Sequence, residues 1–249
     1  MLKFDLTDKR ILITGASSGI GRACAIQAAE LGAAVVLTGR RREALDDTCA
    51  QLPYPARHLV IAGDISTPEF VKLLVEKCGL MDGLVHAAGI CPAAPIGMID
   101  SSALMDSVKT NYFAFMELMR FYAKKRYARE GFAAVAISSV SSEVGWAGGA
   151  LYSGSKGALS AAVRALALEL APKKTRVNAV CPSNIKTPMF DGLAGAISDD
   201  AALATLKAKQ PLGIGLPEQV AAPVCFLLSD AASFITGVNL PVDGGYLAQ

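Results

Sequence analysis

Short, continuously apolar runs alternate with helix-length segments from one end of this chain to the other, and that alternation limits the fold more than any single residue does. The runs are Arg10–Thr14, Ala34–Thr38, Leu59–Ala62, Gly83–His86, Ala133–Ser138, Arg176–Cys181 and Asn239–Val242. A strand that is apolar throughout, rather than at every second position, is buried on both faces. Helices are expected over Gly19–Leu31, Arg42–Gln51, Pro68–Cys78, Leu151–Ala171 and Pro217–Leu228. A longer helical stretch is expected from Ala103 to Glu130, broken near Asn111, and short helices between Pro188 and Gln210. Repetition of strand and helix builds a doubly wound α/β sheet, mostly parallel and seven-stranded, with helices on both faces. No linker or repeat interrupts the pattern, so residues 1–249 read as one domain.

Composition removes several function classes. Hydrophobic residues make up 52% of the chain and charged residues 18%, enough apolar material for a large core. The net charge of +2 carries no global field that points to nucleic acid. No apolar run approaches the roughly 20 residues of a membrane-spanning helix. Met1–Lys9 is too polar for a signal peptide. The six cysteines are scattered, without a Cys-x-x-Cys pair, and the only histidines are His58 and His86. No metal site is expected, and reduced core cysteines point to a cytoplasmic location.

Between the first run and the first helix lies Thr14-Gly15-Ala16-Ser17-Ser18-Gly19-Ile20-Gly21. Glycines permit a tight turn and close approach of backbone to a ligand, and the following helix offers its N-terminal N–H groups to a pyrophosphate. The spacing, Gly-x-x-x-Gly-x-Gly, fits a dinucleotide site as well as a plain glycine-rich turn. The second run ends Leu37-Thr38-Gly39-Arg40-Arg41. An acid here would bind the adenosine ribose and select NAD. None is present, and Arg40 and Arg41 suit a 2′-phosphate, unless they form only a solvated basic loop. NADP(H) is therefore the expected cofactor, with NAD(H) as the alternative. Asp64, after the third run, reads as an adenine contact or as a loop acid.

Tyr152 and Lys156 lie four apart on one helix face. An ammonium beside a phenol favours the phenolate, which would bring the tyrosine nearer to acid–base work at neutral pH. Ser139, from another element, is placed to hold a carbonyl or alcohol oxygen against that phenol. By itself such a pair also occurs as two ordinary helix residues.

Taken together, these features resemble the short-chain dehydrogenase/reductase family over nearly the whole chain. The residues that carry the resemblance are Thr14-Gly15-x-x-x-Gly19-x-Gly21, Gly63-Asp64, Ala88-Gly89, Asn111, Ser139, Tyr152, Lys156, Asn178, Pro182, Thr187-Pro188-Met189, Thr236-Gly237 and Val242-Asp243-Gly244-Gly245. The resemblance implies a tetrad of Asn111, Ser139, Tyr152 and Lys156. Tyr152 would exchange a proton with the substrate oxygen, Ser139 would polarise that oxygen, Lys156 would bind the nicotinamide ribose, and Asn111 would hold a water of the proton relay. It places the cofactor against Gly15, Ser17, Ser18, Gly19, Ile20, Gly21, Arg40, Arg41, Asp64, Ile65, Ala88, Gly89, Pro182, Ile185 and Thr187. The tail looks most like that of 3-oxoacyl-acyl-carrier-protein reductases, which implies a homotetramer and an acyl-carrier substrate as one option. Sugar, polyol or hydroxysteroid oxidation is another. A cofactor-binding regulatory or structural subunit with little turnover is a third.

Two positions depart from the family pattern. His86-Ala87-Ala88-Gly89 stands where Asn-Asn-Ala-Gly is usual, and Pro182-Ser183 where Pro-Gly is usual. His86 is read as a packed core residue rather than a catalytic one, and Ala87 leaves a polar partner missing. On the substrate side, a lid is expected over residues 189–210, carrying Met189, Phe190, Leu193, Ile197, Leu203 and Leu206, with Gly192 and Gly195 as hinges. Cys91, Pro92, Val144, Trp146 and Ala150 are expected as further wall residues. Trp146 reads equally as a stacking surface or as packing. Lys124-Lys125-Arg126 and Lys173-Lys174 read as a basic rim for an acidic carrier or as solvated surface.

Overall fold

The computed structural model describes residues 4–195 and 208–248. Seven strands are observed: β1 Arg10–Thr14, β2 Ala34–Gly39, β3 Leu59–Ala62, β4 Met81–His86, β5 Ala128–Ile137, β6 Arg176–Pro182 and β7 Asn239–Val242. They pair in parallel in the order β3-β2-β1-β4-β5-β6-β7. The order reverses between β1 and β4, and a doubly wound sheet opens its ligand crevice at that switch point, beyond the C-terminal strand ends.

The described helices are α1 Gly19–Glu30, α2 Arg42–Ala50, α3 Pro68–Cys78, α4 Ser101–Val108, α5 Ala114–Tyr122, α6 Ala150–Leu170, α7 Pro188–Gly195 and α8 Pro217–Leu228. One core layer joins α1, α2 and α8 to the sheet through small residues such as Ala25, Ala28, Ala221 and Cys225. The other joins α3, α5 and α6 through Leu74, Phe115, Leu118, Leu159 and Val163. Central strands such as Ile11-Leu12-Ile13 send successive side chains into opposite layers, which explains why their sequence is apolar without alternation.

Helix ends follow local chemistry. Pro68 opens α3 after Thr67, and Gly79, with φ +66°, ends it. Asp100 caps α4 by accepting the Ala103 N–H at 2.8 Å. The break expected near Asn111 is a π turn over Lys109–Phe113. The expectation of helix as far as Glu130 is corrected: α5 ends at Tyr122, and Ala128–Glu130 begin β5, with Ala128 opposite Met81. The register shifts between Met81 and Gly83, where Gly131 takes φ +82°. Exposed Arg129, Glu130 and Gly131 hide the strand's start from a reading based on apolar runs.

Of the expected lid, α7 is described, while Ile197, Leu203 and Leu206 lie outside the described residues. Its far end is anchored by Gln210, which accepts the Asn184 N–H at 3.0 Å and donates to the Gly213 carbonyl at 3.0 Å. No helix among the described residues is long and apolar enough to cross a membrane. No described cysteine forms a disulfide, and Cys24, Cys78, Cys181 and Cys225 are buried.

Candidate active site

A cleft of about 980 Å³ runs along the C-terminal ends of the strands. The glycine turn forms one end. Gly15 takes φ +67° and leans on the backbone of Ala87 and Ala88, where a Cβ would approach to 2.8 Å. A Cβ on Gly21 would meet the Gly15 carbonyl oxygen at 2.3 Å. Only glycine lets the turn and the first turn of α1 close to this degree. Ser18, the N-cap of α1, makes no side-chain cap, so the helix's leading N–H groups stay open toward the cleft. The residues present thus fit a dinucleotide pyrophosphate.

Beyond β2, Arg41 donates to the Ser17 and Ser18 hydroxyls at 3.3 Å each, and Arg22 donates to the Ser17 carbonyl at 2.9 Å. Arg40 is exposed, lines the cleft, and has no hydrogen-bond or ion-pair partner among the described residues. Asp64 and Ile65 also line the cleft, and Asp64 accepts the Ser66 N–H at 2.9 Å. Asp64 is therefore both a cleft residue and a loop acid; the N-cap of α3 is Thr67.

Further along, β5 and α6 bring Ser139, Tyr152 and Lys156 to the same wall. Ser139 is nearly buried, and its hydroxyl accepts the Ser141 N–H at 3.1 Å, which leaves its proton free to donate. Tyr152 is half-buried by surface but densely surrounded, and burial pushes its pKa well above the ordinary value near 10. Ser139 lies close enough to pull in the opposite direction, although no hydrogen bond closes between the two hydroxyls. Lys156 is 4% exposed, donates to the Ile137 carbonyl at 2.7 Å and sits 5.6 Å from the Tyr152 ring centre. Burial lowers its pKa to about 8. The Tyr-x-x-x-Lys spacing by itself suggests an ammonium that depresses the tyrosine. Here burial wins, because the ammonium is turned to Ile137 and over the ring face rather than toward the hydroxyl.

Asn111, in the π turn, is fully buried and does not line the cleft. Its side chain accepts the Ile90 N–H at 2.8 Å and donates to the Ile90 carbonyl at 2.9 Å and the Ser155 hydroxyl at 2.9 Å. With both amide hydrogens engaged, a water has the second acceptor site of Oδ1 and the backbone atoms of the turn.

The remaining expected residues divide. Ser17, Ser18, Gly19, Ile20, Ala88, Gly89, Pro182, Ile185, Thr187, Cys91, Trp146 and Met189 line the cleft. Pro92, Val144 and Ala150 do not. Trp146 proves to be packing and wall together: its ring lies flat over Gly149 at the start of α6, its N–H donates to Ser141 at 3.3 Å, and it still reaches the cleft. Ser183 turns its hydroxyl to the Asp243 carbonyl at 2.9 Å, so the departure from Pro-Gly is absorbed by the tail. Burial, with Lys156 nearby, lowers His86 to about 3, so its imidazole is neutral. Of the two readings of the lysine runs, solvated surface is the one the fold supports. Lys124–Arg126 precede β5 and Lys173–Lys174 precede β6, which places them at the N-terminal edge of a parallel sheet, opposite the cleft. Lys174 there pairs with Glu130 at 2.6 Å. Among the described residues there is no cluster of His, Cys, Asp or Glu able to hold a metal. Lys209, Tyr246 and Asn184 line the cleft without having been expected. The positive-φ pair Gly244-Gly245 ahead of Tyr246 was the available signal for a chain that folds back after β7.

Comparison with known proteins agrees with this architecture. A family model described as enoyl-(acyl carrier protein) reductase matches residues 15–247. The chain is 36% identical to a cis-4-hydroxycyclohexanecarboxylate dehydrogenase of Sinomonas cyclohexanicum, over 95% of this chain and 96% of that one. It is also 36% identical to a 3-oxoacyl-[acyl-carrier-protein] reductase of Rickettsia prowazekii (strain Madrid E), over 98% of each. A Beutenbergia cavernae protein solved with NADP at low occupancy superposes with a TM-score of 0.90 at 32% identity, over 99% of each chain. The chain belongs to the short-chain dehydrogenase/reductase family. It is an NAD(P)-dependent oxidoreductase acting on the alcohol–carbonyl couple.

Proposed function

We propose that this protein is an NADP(H)-dependent enzyme that interconverts a ketone and a secondary alcohol, with Asn111, Ser139, Tyr152 and Lys156 as its working residues and residues 1–249 as one domain. The observation that carries the reading is the shared wall. Ser139 and Tyr152 present two hydroxyls to a cleft that continues to the glycine turn and to Arg40. The bound cofactor supplies or accepts the hydride at its nicotinamide.

The chain's own groups do the rest. Ser139 donates to the substrate oxygen and stabilises the charge that grows on it. Tyr152 gives that oxygen a proton. Burial keeps the phenol protonated, so the proton that reduction requires is in place. Lys156 holds the nicotinamide ribose, and Asn111 fixes the π turn that borders the proton path. Arg40 receives the 2′-phosphate, while Arg41 braces Ser17 and Ser18 behind it.

On the substrate side, Ile90, Cys91, Pro95, Trp146, Met189 and Phe190 offer an apolar wall, which supports a carbonyl compound with an apolar body. A 3-oxoacyl thioester is one such compound. Six cysteines without a disulfide fit a reducing cytoplasm. Exposed Leu168 on α6 and Phe113 beside α5 fit burial in a homotetramer.

The test is NADPH oxidation followed over a panel of alicyclic ketones, aliphatic ketones, 3-oxoacyl thioesters and ketoses. Turnover on apolar ketones or thioesters is expected, and silence across the panel contradicts the proposal.

A further inference from the structure

His86 ends β4 with no exposed surface, and Thr14 lies beside it at the end of β1. The Thr14 hydroxyl accepts the N–H of Ala87 at 3.1 Å and that of Ala88 at 3.0 Å. A hydroxyl has two acceptor sites and one proton. With both sites used, the proton goes to the third neighbour, His86 Nδ1, at 3.1 Å. Nδ1 is then an acceptor, and the ring proton sits on Nε2. That nitrogen is buried and closes no hydrogen bond within reach. The Thr110 and Asn111 carbonyls bear on it from the π turn, and Phe115 covers the ring at 5.7 Å between centroids. A buried ring N–H without a closed bond needs an acceptor, and those carbonyls are the ones the π turn offers it.

We propose that His86 is a positioning residue: as the Nε2–H tautomer it links the glycine turn, through Thr14, to the π turn that carries Asn111. The inference rests on the catalytic reading of the preceding subsection and adds a residue to it. Both ends of the link matter to the site. At one end, Thr14 and the N–H groups of Ala87 and Ala88 set the backbone against which Gly15 folds. At the other end, Asn111 clamps Ile90 and Ser155, the residue before Lys156. A Cβ on Gly89 would lie 3.2 Å from Asn111 Oδ1 and 3.6 Å from Lys156 Nζ, so those two groups share one narrow space. Movement of the π turn therefore reaches the lysine through Ser155 and that shared space.

Two measurements test the link. The first is the ring ¹⁵N spectrum of histidine-labelled wild-type protein, which has only His58 and His86 to assign. His86 is expected as the neutral Nε2–H form; an Nδ1–H form overturns the proposal whatever the turnover. The second uses the NADPH-loaded enzyme on its best ketone. His86→Leu removes both ring nitrogens, while His86→Gln returns an amide N–H at about the reach of Nε2. His86→Leu is expected to lower kcat roughly tenfold to a hundredfold, the scale of a small misplacement of reacting groups, with KM for NADPH changed less than about threefold. His86→Gln is expected to recover most of the loss. Wild-type kcat in His86→Leu, or equal losses in the two variants, overturns the proposal. A wild type no faster than Tyr152→Phe would instead overturn the catalytic reading, and the ¹⁵N result would still decide the tautomer.

Discussion

Lys156 donates to the carbonyl of Ile137 at 2.7 Å and so pins α6 to the last residue of β5. Ser139 follows two residues along the chain from that carbonyl. Ser138 reinforces the seam through its hydroxyl, 2.7 Å from Ser160 and 3.2 Å from the Lys156 carbonyl. The serine and tyrosine that face the cleft are thus held by one joint between a strand end and a helix, and the joint buries an ammonium.

That burial makes stability depend on pH in a particular sense. Burial lowers the pKa of folded Lys156 to about 8, from an ordinary value of 10.5. Below both values the lysine is charged in either state, and folding bears the cost of burying the charge. Between them the unfolded chain binds more protons, so stability contributed at this site rises with pH. Relative to Lys156→Met, the wild type is expected to gain roughly 2 kcal/mol between about pH 7 and pH 9.5. Urea unfolding of both proteins across that window checks it; parallel curves would show that the ammonium is not buried.

Arg40 and Arg41 separate by their bonds. Arg40 has no described partner, whereas Arg41 also supports Ser17 and Ser18. Arg40→Ala is expected to weaken NADPH about tenfold and to leave NADH unchanged. Arg41→Ala is expected to weaken both. Calorimetric titration with each cofactor measures this, and an Arg40→Ala protein that binds NADPH as tightly as the wild type contradicts the assignment of the 2′-phosphate.

Two glycines predict opposite signs. A Cβ on Gly21 collides with the Gly15 carbonyl, whereas one on Gly154 meets nothing within 4 Å on an exposed face of α6. Gly21→Ala is expected to cost about 1–3 kcal/mol and to abolish the shift in Tm on adding NADPH. Gly154→Ala is expected to stabilise by about 0.5–1 kcal/mol. Thermal unfolding with and without cofactor reads both.

Much of this architecture could be read from the sequence because the strands are buried on both faces and so are apolar without interruption, as Ile11-Leu12-Ile13 is. Where that condition fails, so did the reading. Ala128–Glu130 begin a strand with a half-buried alanine and two exposed charged side chains, and nothing in their periodicity distinguishes them from the end of a helix. The lysine runs before β5 and β6 left two readings open in the sequence for a different reason. Charge says nothing of direction, although the parallel order of the strands puts every residue that precedes a strand away from the cleft. The spacing of Tyr152 and Lys156 showed that they share a face of α6. It did not show that Lys156 turns to Ile137, since a backbone carbonyl leaves no mark in the sequence. Trp146 and Gly149 belong to the same class: their close packing depends on a turn whose shape the residue types do not specify.

The central claim is that Tyr152 exchanges the proton while the rest of the cleft holds the reactants. It is tested most directly by single-turnover oxidation of NADPH in wild type and Tyr152→Phe, on the best ketone of the panel, with NADPH affinity measured alongside. A loss of at least about a hundredfold in the rate of the chemical step, with NADPH affinity unchanged, is the expected result. A phenylalanine variant that turns over at the wild-type rate would contradict it.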